Sequence, residues 1–454
     1  MIPSLLFLFS AAVFAADPVD EAAPDTPYTR GVAALAEKDA DEAIRHFDRC
    51  LAEDPNQIDC HWEIGWAHWL RGEWKDVVSH WDIVQTKEPD RKGLSQYLSQ
   101  AKDNLSLEDL LAKGRSAAPS TFTSTAPAGA TLRLRAVGDL MIGTDFPAGK
   151  LPPDDAQGIF DGVQDWLTDA DVTFGNLEGP VCDGGETGKC GPNASPGSCY
   201  AFRSPARYAS IYKRAGFDVM STANNHGGDF GQFCRLETEK NLDQQGIAHS
   251  GRPGDIASWT TNGMKIAMIG FHTSRSSHYV NDHETAATLV RALATEHDIV
   301  IVSFHGGAEG SRAMHVPYKQ ETFYGENRGH LREFTHTVVD AGADLVLGHG
   351  PHVLRGVEVY NDRLIAYSLG NFATYGRFNL SGNLGIGAVL EVQLDREGQF
   401  LGGRVLSTRQ EGEGIPVKDD RDRAADLIRM LSSEDFPQTG VQVAQDGSLA
   451  RSRQ

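Results

Sequence analysis

A chain of 454 residues with 62 Asp and Glu against 42 Lys and Arg carries a net charge of -20, which repels phosphate backbones and anionic lipid and excludes a nonspecific nucleic-acid binder. An apolar share of 40% before its 48 glycines are counted is that of a folding protein, long enough for two or three domains with cores of their own. No apolar run reaches the roughly 20 residues that a spanning helix needs.

The longest such run, Ile2 to Ala16, ends at Asp17-Pro18 and reads as a signal peptide over residues 1–16, leaving no transmembrane span once it is removed. Six cysteines, an even number, fit an oxidising compartment, so a secreted or periplasmic location is expected. Cys50 and Cys60 lie in one stretch and Cys182, Cys190, Cys199 and Cys234 in another. Disulfides are expected within each group, with the connectivity of the four left open.

Residues 27–113 carry an internal repeat: Gly31 recurs as Gly65, Ala43 as Val77, Phe47 as Trp81 and Pro55 as Pro89, each 34 positions on. Small residues where helices approach, a large apolar residue opposite and a closing Pro are what stacked helix-turn-helix units need, and the pattern resembles tetratricopeptide repeats. The stretch from Gly93 to Lys113 is expected to cap the stack. Trp62, Trp66, Trp69, Trp74 and Trp81 crowd the second repeat, where they read as core filling before they read as a peptide groove. Residues 114–130, rich in Ser, Thr, Ala, Pro and Gly, read as a linker. Beyond it, β-rich runs alternate with helical stretches and then, from Val353 to Leu406, follow one another directly. That is an α/β first half closed by a mostly antiparallel second half, with a C-terminal helix and tail over 413–454.

In an open α/β sheet, ligands gather beyond the carboxyl ends of the strands. Five successive apolar runs here end in Gly138-Asp139, Asn176-Leu177-Glu178, Asn224-Asn225-His226, His305-Gly306 and His349-Gly350-Pro351-His352. Carboxylate, amide oxygen and imidazole are the donors of a borderline divalent metal such as Mn, Fe or Zn, and burying them together without a cation costs several kcal/mol.

These motifs, with Tyr367-Ser368-Leu369-Gly370-Asn371-Phe372, resemble the CapA family, capsule or poly-γ-glutamate synthesis proteins related to the calcineurin-like metallophosphoesterases, over residues 131–412. The resemblance implies a four-layer α/β/β/α sandwich behind the small all-α domain and a centre of one or two divalent ions. Asp139, Glu178, Asn225, His305, His349 and His352 would be the ligands and His226 the general acid. Departures stand out: the superfamily's Asp-x-His opens here as Asp139-Leu140-Met141, Glu178 replaces a bridging Asp, and the closing His-x-His is stretched to His349-x-x-His352.

Such a site would hydrolyse a phosphoester or a bond in an anionic polymer. Arg312 and Arg328, in the glycine-rich stretch from Gly306 to Gly329, and Asn371 are the expected substrate contacts, and the repeats would recruit an envelope protein. The alternative is a noncatalytic polymer-binding scaffold.

Overall fold

Thr26 opens the first helix with a capping box, its hydroxyl accepting from Thr29 N–H while the Thr29 hydroxyl accepts from Thr26 N–H. In the computed structural model, which describes residues 25–117, 122, 124–190 and 200–452, α1 (Pro27–Ala36), α2 (Ala40–Glu53), α3 (Ile58–Arg71) and α4 (Trp74–Lys87) follow, then α5 (Leu94–Ser116). The 34-residue pattern has a packing cause. A Cβ on Gly31 would fall 2.5 Å from the Phe47 ring, and one on Gly65 would fall 2.0 Å from the Trp81 indole, so only glycine lets each helix pair close. Trp81 and Trp69 are buried, and the Trp81 indole N–H donates to Trp62 O. Trp69 and Trp81 thus fill the interior, with Trp62, Trp66 and Trp74 half-buried against them, and the Cys50–Cys60 disulfide joins α2 to α3. The signal-peptide stretch and Cys199 lie outside the described residues.

The chain divides into two compact units, one up to Ser106 and one from Leu107. In the second unit the remainder of α5 is helical through Ser116, past the expected helix end at Lys113. Leu107, Leu110 and Leu111 pack into an apolar cluster with α9 (His283–Ala294) and α10 (Leu331–Asp340). Lys113 pairs with Glu296, and a Cβ on Gly114 would fall 1.9 Å from Thr288 O.

The second unit is built in three passes. β1 (Thr131–Met141), β2 (Val172–Leu177), β3 (Val219–Ser221) and β4 (Ala248–Ser250) lie parallel in one sheet, with α6 (Gln164–Thr168), α7 (Ala209–Ala215) and α8 (Gly231–Gln244) between them. The chain then crosses to a second sheet of β5 (Ala257–Thr261), β6 (Met264–His272), β7 (His278–Tyr279), β8 (Ile299–His305), β11 (Leu345–His349), β12 (Val357–Tyr360) and β13 (Arg363–Ala366). A separate hairpin, β9 (Glu321–Phe323) and β10 (Glu326–Gly329), leaves it.

Finally β14 (Asn371–Thr374), β15 (Ile386–Asp395), β16 (Phe400–Glu411) and β17 (Ile415–Lys418) return to the first sheet, with β15 antiparallel to β1. After α11 (Arg423–Asp435), the residues expected as a tail form β18 (Gln442–Val443) and β19 (Ser448–Ala450), which extend that sheet through β16.

Period-two alternation sorts side chains between three clusters. Met264, Ile266 and Met268 of β6 join Leu132, Leu134 and Ala136 of β1 in a core drawn from both sheets. Ala267, Ile269 and Phe271 meet α9 and α10 on the other face. Val137, Leu140 and Val389 meet Phe160, Tyr208 and Tyr212.

Candidate metal centre

In β1 the even-numbered residues Leu132, Leu134 and Ala136 face the shared core, but Leu140 joins the opposite face with Val137. The pairing with β2 skips between Ala136 and Asp139, and that with β14 shifts after Asp139. A bulge reverses the alternation at this point and re-aims one side chain. That side chain is Asp139, fully buried at the carboxyl end of the strand. Gly138 permits the turn, since a Cβ there would fall 1.9 Å from Gly370 O.

Two rows of polar residues therefore end the two sheets. In the first, Asn371, Asp139, Asn176 and Ser221 stand in register across four strands. In the second, His272, His305 and His349 stand in register across β6, β8 and β11. Ligand atoms of Asp139, Glu178 and His305, all buried, lie within 4.8 Å of one another. His349 Nδ1 is 3.6 Å from Asp139 Oδ1, and His305 Nε2 is 3.7 Å from Glu178 Oε1. His352, in the turn after β11 with φ of 59°, donates from Nδ1 to Asp139 Oδ2 at 2.9 Å and Asn371 Oδ1 at 3.0 Å. Its Nε2 stands 3.7 Å from Glu178.

Burial raises the Glu178 carboxyl well above the usual range, with the neighbouring Asp139 charge adding to it. Asp139 is also desolvated, yet the His352 hydrogen bond and the nearby imidazoles hold it below its ordinary value. Burial drives His305 well down and His349 down to about 4. His352, desolvated but facing Glu178 and Asp139, is pushed up to about 10.

The donor atoms fit a cation. Both oxygens of Glu178, both ring nitrogens of His305 and of His349, and Oδ1 of Asn225 are buried without a hydrogen-bond partner. Unpaired groups of this kind cost about 1–3 kcal/mol each, more when charged, so their convergence calls for a positive ion. The buried Asp139, Glu178 and His305 group could hold a metal ion.

His226 adjoins this group through its own network. Asn224 accepts from the N–H groups of His226 and Gly227 and donates to Leu177 O, which fixes the turn after β3. His226 Nδ1 lies 2.7 Å from Asp229 Oδ2, and its ring packs 4.3 Å from that of Phe202. Asp229 also accepts from Phe202 N–H at 2.8 Å and from Lys189.

The three expected substrate contacts have different settings. Arg312 is exposed. Arg328 is buried and turned to Glu309 Oε1 at 2.9 Å and Gly307 O at 2.9 Å. Asn371 serves His352. The Gly306–Gly329 segment is clamped by buried Arg355, bidentate on Glu321 at 2.9 and 2.7 Å. After Glu178 in the chain, Cys182 forms a disulfide with Cys234, and Cys190 is also disulfide-bonded.

Sequence reasoning missed His272, Asp229 and Glu309. His272 was within reach, because the apolar run from Met264 continues through Phe271 and places His272 at a strand end. The other two needed spatial neighbours.

Two parallel-strand ends facing each other across a carboxylate–imidazole cluster define an α/β protein with a candidate metal site. The profile of the bacterial capsule synthesis proteins, PGA_cap, matches residues 133–375, more than half of the chain, and the protein belongs to that family. It is 27% identical over 318 residues to the PGA biosynthesis protein CapA of Bacillus subtilis (strain 168), covering 66% of this chain and 77% of that one. It is 28% identical over 227 residues to the capsule biosynthesis protein CapA of Bacillus anthracis, covering 47% of this chain and 53% of the relative. No helix among the described residues is long and apolar enough to cross a membrane.

Proposed function

We propose that this chain is a metal-dependent hydrolase of the cell envelope, acting on a phosphoester or γ-glutamyl linkage in the synthesis or processing of poly-γ-glutamate or related capsule material. The observation that carries the reading is the set of buried, partnerless donor atoms on Glu178, His305 and His349 around Asp139. Asp139, Glu178, His305 and His349 would hold one or two ions of the Mn, Fe or Zn type, with Asn225 and His352 at the margin. Such ions, when bound, polarise the scissile group and lower the pKa of water.

The protein's own part is orientation and proton transfer. Asp229 accepts the His226 Nδ1 proton, which leaves Nε2 as the nitrogen that exchanges a proton with the leaving group. His352 is oriented beside the carboxylates by its Nδ1 contacts to Asp139 and Asn371. The three clusters support reading the second unit as a four-layer α/β/β/α sandwich, and the repeated glycine–aromatic contacts support tetratricopeptide-like pairs that recruit an envelope partner. Family membership and disulfides support action outside the cytoplasm, in a secreted or periplasmic setting.

The test combines metal analysis with hydrolysis of bis(p-nitrophenyl) phosphate and of poly-γ-glutamate. Asp139→Ala and His305→Ala should lose metal and activity together. His226→Ala should keep its metal and lose about 10²–10⁴-fold in rate. Unchanged metal content in both ligand variants would refute the centre.

A further inference from the structure

A second cluster of donors sits in the helical unit, in the turn between α3 and α4. His68 in the last turn of α3, Glu73 at the cap of α4 and Asp76 in its first turn bring one ligand atom each to within 4.8 Å of one another. Gly72, at φ 71°, makes the reversal that folds them together. His80, one turn beyond Asp76, lies with its ring parallel to that of His68, centroids 5.6 Å apart. We propose that this helical hairpin is a separate divalent-cation site for a zinc-type ion, with His68, Glu73 and Asp76 as ligands.

The hydrogen bonds set the protons around that group. His61 Nε2 is 3.1 Å from Pro55 O, which can only accept, so His61 carries its proton there and presents Nδ1 as an acceptor. His80 Nδ1, 2.9 Å away, is then the donor. His68 Nδ1 lies 2.7 Å from Glu73 Oε2, so the proton between them is the one that an ion bound to both atoms would displace. Burial, with His61 and His68 nearby, pushes His80 down to about 4, so it adds no positive charge beside the group at physiological pH.

Arg71 occupies Glu73 Oε1 at 2.7 Å and Asp41 at 2.7 Å, which steadies the carboxylate and leaves Oε2, on the His68 side, for the ion. An imidazole joined to two carboxylates suits zinc better than magnesium or calcium.

The experiment uses the full chain, stripped with a chelator and titrated with Zn²⁺ alone, in the Asp139→Ala background that disables the first centre. That chain should still bind one equivalent. Asp76→Asn, at an exposed position, should weaken binding at least about 10-fold with unchanged helix content. If Asp139→Ala does not fold, the parent chain decides, one of its zinc equivalents weakening by the same factor on Asp76→Asn. No zinc bound in the Asp139→Ala chain, or affinity untouched by Asp76→Asn, would overturn the proposal.

Discussion

Asp229 receives three donors: the His226 imidazole, the Phe202 amide and the Lys189 ammonium. So supplied, the carboxylate holds one tautomer of His226, while burial still pulls that imidazole below its ordinary value despite the Asp229 charge. Asp229→Asn keeps the shape but can offer its own N–H to Nδ1, reversing the tautomer. Turnover should then fall at least about 10²-fold with metal content unchanged, as steady-state rates and metal analysis will show.

A different imidazole controls stability. Burial opposes the charge on His249, but Asp243 at 3.3 Å and Asp255 at 3.1 Å hold it up to about 10. Between its unfolded value of 6.5 and about 10, the folded state binds one more proton than the unfolded state. The contribution is therefore complete below pH 6.5 and is lost as pH rises, by at most about 1.4 kcal/mol per unit. Urea midpoints across that window should fall less steeply in His249→Gln than in the parent.

At the scale of elements, the site depends on one irregularity in one strand. Gly138→Ala would drive its methyl into Gly370 O, 1.9 Å from the ideal position, and straighten the bulge that turns Asp139 inward. The variant should lose metal binding along with stability, about 1–3 kcal/mol by overpacking, read by calorimetry and metal analysis.

The same strand shows what the residues disclose. Asp139, Glu178, His305, His349 and His352 were legible because each follows an apolar run and strand ends converge in any α/β sheet. The bulge was not, since alternation over Leu132 to Val137 gives no sign that the phase reverses by Leu140. Arg312 and Arg328 were chosen for charge in a glycine-rich stretch. Burial and the Glu309 pair decide Arg328's orientation, and neither is written in local sequence. Likewise β18 and β19 are two and three residues long, below the length at which alternation can be seen.

At the scale of the molecule, the division between the two compact units falls within the residues of α5, after Ser106. The leucines at 107, 110 and 111 complete the cluster around α9 and α10, so the second unit needs more than its two sheets. A chain beginning at residue 105 should unfold as a single stable unit. One beginning at residue 122 should be less stable by about 3 kcal/mol, three half-buried leucines being lost; comparing their denaturant midpoints tests this.

The return of the chain to its first sheet also sets an order of events. β1 is flanked by β2 on one side and by β15, some 250 residues later, on the other, with Thr131 opposite Asp395. Contacts of such separation are slow to form, because the closure entropy is spent before the pairing rewards it. During synthesis the ligands on β1, β2, β8 and β11 all emerge before the strand that locks β1 in place. The centre is thus assembled last, and a chain caught short of β15 carries every metal-type residue yet no finished pocket.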